Sequence, residues 1–149
     1  QLTRLIHEIS ASKDEGLAVA ACFFDLSKAF DRVWHAGLLK KLELLPGSVL
    51  LSPPMVHLLP YTPSARVRVG KTKSPGLKIP AGVPQGSVLD PLLFLIYTID
   101  LPPACTSTYT KCSQFADDTA LIATHPQVDL AERALQDAVT AASAWLEEW

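Results

Sequence analysis

Apolar residues change their period several times along this chain, and each change predicts an element. Leu2, Leu5, Ile6 and Ile9 recur at helical spacing, so a helix is predicted at the start, broken by Gly16. Residues 17–26 form an apolar run closed by Asp25 and Leu26, the pattern of a buried strand. From Ser27 to Leu45, the residues Phe30, Val33, Trp34, Leu38, Leu39, Leu42 and Leu45 fall on one helical stripe, which Pro46-Gly47 ends. Segment 46–63 carries Pro53, Pro54, Pro60 and Pro63 among apolar residues. Proline removes a donor and restricts the residue before it, so a regular helix is disfavoured there.

Beyond this segment the period shortens. Val67 and Val69 alternate with Arg66 and Arg68, which predicts a strand over 65–70, a turn from Lys71 to Gly76 and a returning strand over 77–79. Ala81-Gly82-Val83-Pro84-Gln85-Gly86-Ser87 reads as a loop. Ser87 caps a predicted helix from about 88 to about 101, with Pro91 in its first turn and Leu92, Leu95, Ile96 and Ile99 on its buried face. Pro102-Pro103 stops that helix. Residues 111–115 and 119–124 predict a hairpin around Ala116-Asp117-Asp118. After Pro126, a last helix places Val128, Ala131, Leu135, Ala138, Ala142, Trp145 and Trp149 on one face. This mixed order with an antiparallel hairpin predicts an α+β domain, with helices packed on one face of an antiparallel sheet.

Composition narrows the class. At 149 residues, 48% hydrophobic and 19% charged, the chain is globular and fits one domain or part of one. Its longest apolar runs, Leu17–Phe24 and Leu92–Tyr97, are too short for a membrane span, and no charged-then-apolar leader opens it. Cys22, Cys105 and Cys112 form no C-x-x-C pair, which argues against a disulfide framework or a zinc site and for an intracellular setting, nucleus or cytoplasm. The net charge of −2 does not advertise nucleic-acid binding. However, Arg66, Arg68, Lys71, Lys73 and Lys78 crowd one short stretch with no acid among them, as a solvated hairpin face or a phosphate contact would require.

The candidate chemistry is acidic. Asp117 and Asp118 are adjacent in an apolar hairpin where a turn would favour Asn-Gly or Asp-Gly. Asp25 closes a second apolar strand. Alone, Asp25 is an ordinary cap or turn residue and an acidic hairpin tip is ordinarily solvated. Together, three carboxylates at strand ends suit divalent ions that serve phosphoryl transfer. Phe30 alone reads as a core aromatic, Gln85 as a surface loop residue. His7, His35, His57 and His125 show no metal-binding spacing, and neither a G-x-S-x-G elbow nor a P-loop is present.

Three blocks stand in order: Phe24-Asp25-Leu26-Ser27-Lys28-Ala29-Phe30-Asp31-Arg32-Val33-Trp34-His35, then Ala81 to Leu89 with Pro91-Leu92-Leu93-Phe94, then Phe115-Ala116-Asp117-Asp118. Together they closely resemble the reverse transcriptase domain of non-LTR (LINE-like) retrotransposons, over most of the chain. The resemblance implies a right-hand polymerase palm, RNA-directed DNA polymerase activity and two Mg²⁺ ions, with Mn²⁺ as a substitute. It implies an RNA template, a DNA primer and a dNTP as partners, and no membrane. Carried over by position, Asp25, Asp117 and Asp118 are metal ligands and catalytic residues. Phe30 is the steric gate against a ribose 2′-OH. Gln85 and Gly86 contact the incoming nucleotide and template, and backbone groups from Leu26 to Ala29 lie near its triphosphate.

Phe115 stands where that family usually has Tyr, and Asp90 stands where a small residue usually precedes the proline. Measured against the family pattern, the fingers and thumb segments of the parent polyprotein are expected to be largely missing. The alternative is a catalytically inactive palm remnant of a decayed retroelement that at most binds nucleic acid. A nucleotide cyclase shares the acid logic, and the Pro84-Gln85-Gly86 loop disfavours it.

Overall fold

Gly16, at φ 75°, turns the first helix into the first strand. In the computed structural model, the described residues are 2–44, 64–83, 86 and 88–149. Their elements are α1 (Leu2–Asp14), β1 (Ala18–Asp25), a 3-10 turn (Ala29–Asp31), α2 (His35–Leu44), β2 (Ser64–Ala65), β3 (Arg68–Val69), β4 (Thr72–Lys73), β5 (Leu77–Lys78), α3 (Asp90–Tyr97), α4 (Leu101–Cys105), β6 (Thr110–Phe115), β7 (Asp118–His125) and α5 (Val128–Glu148). The chain divides into two units, residues 1–27 with 98–149, and residues 28–97. The mixed helices and antiparallel strands make an α+β, palm-like fold. No helix of the described residues is long and apolar enough to cross a membrane.

The first unit is built on an antiparallel sheet in the order β1-β7-β6. Side chains alternate between its faces. One face carries Cys22, Leu121 and Cys112 side by side, and α4 and α5 pack on it: the Thr110 hydroxyl donates to the Cys105 carbonyl at 3.0 Å. Ala131, Ala138, Ala142 and Trp145 are the buried stripe of α5, and the small alanines let helix and sheet approach closely. The Trp145 indole donates to the Asp100 carboxylate at 3.0 Å. The other face carries Asp25, Phe23, Asp118, Ser113 and Lys111. α1 reaches it through Glu8, 4.0 Å from the Lys111 ammonium. Helices therefore meet both faces, not one as predicted. The reason is that α1, itself amphipathic, buries Leu5 beside the sheet.

All three cysteines are free thiols. Burial pushes Cys105 up, against a smaller lowering from its hydrogen bond with Cys112. Burial, then the charge and hydrogen bond of Cys105, pushes Cys112 from 9.0 to about 11. The folded thiol thus holds its proton more tightly than the unfolded one. Its contribution to stability is complete below about pH 9 and is lost as pH rises through about 11. Urea midpoints should therefore fall more steeply between those pH values in the parent chain than in Cys112→Ala.

In the second unit, α2 and α3 bury Leu38, Leu42, Leu93, Phe94 and Ile96, with Val33 alongside. The Lys41 ammonium is buried; it donates to the Tyr97 carbonyl and lies 5.0 Å from the centre of that ring. Here the helices differ from expectation in three places. The helix predicted from Ser27 begins only at His35, because Lys28 takes φ 56° and Trp34 pairs with Ala81 as an isolated bridge. The helix predicted over 88–101 runs only from Asp90 to Tyr97, and Pro102 and Pro103, instead of stopping it, lie in the first turn of the separate helix α4, where proline fits. The buried face of α3 is Leu93, Phe94, Ile96 and Tyr97, whereas Leu92, Leu95 and Ile99 are exposed. An almost wholly apolar helix has no polar stripe to orient it. The proline-rich segment 46–63 and the Ser87 cap lie outside the described residues.

Among its described residues this unit also holds two two-stranded ribbons, β2 with β5 and β3 with β4, the latter closed by Gly70-Lys71 with Gly70 at φ 61°, so the strand predicted over 65–70 is interrupted and the turn predicted from Lys71 to Gly76 contains β4.

Candidate active site

The acidic hairpin follows from its register. Phe115 pairs with Asp118, leaving Ala116 and Asp117 as a two-residue loop. Such loops need positive φ at their first central residue, which glycine normally supplies. Here Ala116 takes φ 54°, a conformation uncommon for a residue with a Cβ. The Gln114 amide donates to the Ala116 carbonyl at 3.1 Å and holds the loop. Strain kept at a hairpin tip is typical of functional sites.

Across the sheet, Asp25 pairs with Asp118. The neighbouring Leu26 N–H donates to the Asp117 carbonyl at 3.1 Å, making Leu26 and Asp117 the hydrogen-bonded pair. Pair types alternate along an antiparallel ladder, so Asp25 and Asp118 form a non-hydrogen-bonded pair, in which facing side chains lie closest. Two carboxylates therefore face each other on one side of the sheet, where like charges repel. No ion pair joins either to a cation among the described residues. Asp117 is one step out of phase with Asp118. Among the described residues, no three acidic, histidine or cysteine side chains converge as a metal cluster.

The pair opens into a groove of about 730 Å³ lined by Thr3, Phe23, Asp25, Ser113, Phe115 and Asp118. Phe23 and Phe115 are 63% and 67% exposed, a costly placement for two aromatics. Phe23 and Ser113 escaped sequence reasoning. Their signal was present: each sits two residues before a strand-end residue and so shares its face. The donor set fits a hard divalent cation, with two exposed carboxylates facing one another and the Ser113 hydroxyl in the same groove.

The other candidates are placed as follows. The Leu26 N–H is committed to Asp117 and is not free for a phosphate. Phe30 is half-buried in the 3-10 turn with its ring 4.6 Å from that of Phe94. Its turn is stapled to the glycine loop: Val83 N–H donates to the Phe30 carbonyl at 2.9 Å, Gly82 N–H to the Val33 carbonyl at 2.8 Å, and His35 Nε2 bonds the Gly82 carbonyl at 2.7 Å. Gly82 takes φ 98°, and a Cβ there would lie 3.0 Å from the Asp31 carbonyl oxygen. Gly82→Ala should cost about 1–3 kcal/mol in urea unfolding and displace the Phe30 turn. Gly86 takes φ 89°; Gln85 lies outside the described residues. Arg66, Arg68, Lys71 and Lys73 are all exposed on the ribbons. Asp90, which stands where the resemblance leads one to expect a small residue, is only 6% exposed at the first position of α3, where the helix dipole favours an acid.

A facing acidic pair on a hairpin and its neighbouring strand, with helices behind, is the arrangement of a palm. Residues 2–149 match the reverse transcriptase (RNA-dependent DNA polymerase) family, and the chain belongs to it. It is 37% identical to a probable RNA-directed DNA polymerase from transposon BS and 35% identical to the RNA-directed DNA polymerase from mobile element jockey, both of Drosophila melanogaster. Each alignment covers all of this chain and 17% of the relative. A probable RNA-directed DNA polymerase from transposon X-element of the same fly is 35% identical, over all of this chain and 16% of its own length. These mobile-element relatives agree with the resemblance carried by the three motif blocks.

Proposed function

We propose that this chain is the catalytic palm of an RNA-directed DNA polymerase, adding nucleotides from a dNTP to a primer 3′-OH on an RNA template. The observation that carries this reading is the non-hydrogen-bonded pairing of Asp25 with Asp118 on the groove side of the sheet. Asp25 and Asp118, with Asp117 beside them, would hold the divalent ions, Mg²⁺ by the family's habit. Bound there, such ions supply Lewis-acid stabilisation of the phosphoryl oxygens and of the departing pyrophosphate. The chain's own part is positional. The three-stranded ladder fixes the two carboxylates, and the strained Ala116 turn sets the hairpin tip. In the other unit, the Phe94 ring and the Gly82 staple fix the Phe30 ring, the gate against a 2′-OH. Gln85 and Gly86 are assigned to the incoming nucleotide.

A second reading, a palm that binds nucleic acid without transferring nucleotides, is favoured by one observation: no three carboxylates converge among the described residues. Primer extension on an RNA template separates the two. In a polypeptide extending this chain to the length of its relatives, extension should require Mg²⁺, stop on chelation and be lost in the variants of the facing pair. Extension that survives those variants overturns the site, and no extension at all favours the second reading.

A further inference from the structure

The basic stretch is not evenly charged around its strands. Arg68 pairs with Lys73, and Ser64 with Lys78, so each pair shares a face. Arg66 is two residues from both Ser64 and Arg68. A Cβ at Gly76 would meet the Arg66 Nε at 3.6 Å and the Ser64 Cβ at 3.9 Å, which places Arg66 and Ser64 on one side. Arg66, Arg68, Lys73 and Lys78 therefore line one face of the double ribbon, while Val67, Val69 and Leu77 lie on the other. Lys71 sits apart, at the β3–β4 tip. Residues 64–79 hold five of the chain's 13 Lys and Arg and none of its 15 Asp and Glu, leaving eight cations against fifteen acids elsewhere.

One pair on this face is unfavourable as it stands. The Ser74 N–H donates to the Val67 carbonyl at 2.8 Å, so Val67 and Ser74 are hydrogen-bonded and the next pair, Arg68 with Lys73, is not. Facing side chains are closest at such a pair, and like charges there destabilise a ladder. The Arg68 Nε donates to the Gly70 carbonyl at 3.0 Å, and no carboxylate pairs with it among the described residues. A polyanion relieves the repulsion. The ribbon offers no aromatic ring on which a base could stack, the usual device for holding single strands. Arginine and lysine along a face suit phosphates, and the two-residue step from Arg66 to Arg68 spans about 6.6–6.8 Å.

We propose that the face formed by Arg66, Arg68, Lys73 and Lys78 is a sequence-independent docking surface for the phosphate backbone of a nucleic-acid duplex. The polymerase reading enters only in choosing nucleic acid as the polyanion. Fluorescence anisotropy with the 149-residue chain and a labelled RNA–DNA hybrid tests it, titrated over roughly 50–200 mM salt. Replacing all four residues with Gln should lower the slope of log K against log salt by about 3, and each single replacement by about 0.7–0.9. Changing the duplex sequence should leave affinity within about twofold. The control K13Q/R133Q, outside the ribbon, should leave the slope unchanged. D25N/D118N should also keep the slope, so failure of the catalytic assignment in an extension assay leaves this surface standing. An unchanged slope in the fourfold variant overturns the proposal. So does tighter binding to single-stranded RNA or to phosphatidylserine vesicles than to the duplex. Because all four side chains are exposed, circular dichroism of the variant should match the parent chain.

Discussion

Asp25→Asn and Asp118→Asn should each lower nucleotide transfer on the order of 10³-fold or more, and the double variant should be no worse than either alone. In the proposed mechanism the two carboxylates act on a shared cation site, and groups that act as a unit do not add when removed singly. Asn keeps the size and hydrogen-bonding reach of Asp, so the loss isolates charge from shape. A second readout separates a catalytic pair from a merely structural one. Without divalent ions, either Asn variant should melt above the parent chain, because the repulsion across the non-hydrogen-bonded pair is gone. On addition of Mg²⁺ the parent should gain stability and the variants should not. An Asn variant that extends primers at the parent rate, or a parent indifferent to Mg²⁺ in melting, removes the pair from the mechanism.

Leu121→Ala should cost about 2–5 kcal/mol, the upper part of that range being expected. Leu121 is fully buried on the central strand, between Cys22 and Cys112, on the face that α5 covers. The surrounding Ala123, Ala138 and Ala142 are already small and buried, so little can move in to fill the space. For a domain whose total stability is about 5–15 kcal/mol, such a loss is a large fraction of the whole. Urea unfolding followed by circular dichroism measures it. Phe23→Ala, on the opposite and open face, should cost far less than its size implies. A small loss at Leu121 with a large one at Phe23 would mean that the sheet faces are exchanged.

Much of this was legible in the residues. The apolar run ending at Asp25, the hairpin around Asp117-Asp118 and the alanine-rich stripe of the last helix each announced their element, because period and burial agreed. Phe30, Val33 and Trp34 misled, since their spacing fits a helix while Lys28 at positive φ and the Trp34–Ala81 bridge forbid one. The α3 face was illegible for the opposite reason: with nearly every residue apolar, the pattern holds no direction. Val128, counted on the buried stripe, is exposed at the start of α5. Register is what a strand pattern cannot supply, since alternation tells which residues share a face but not which residue lies opposite. The pairings of Asp25 with Asp118 and of Arg68 with Lys73 are register facts, and both emerged only from the ladders.

The facing aspartates also bear on how such a sequence would drift. In a copy of the gene selected for folding alone, most substitutions in the Leu121 core lower stability and are resisted. At Asp25 or Asp118 the direction reverses, since losing either charge relieves the fold. Decay of the element would therefore be registered first at these two positions, and among related genomic copies their retention or loss would separate active lineages from those that merely still fold.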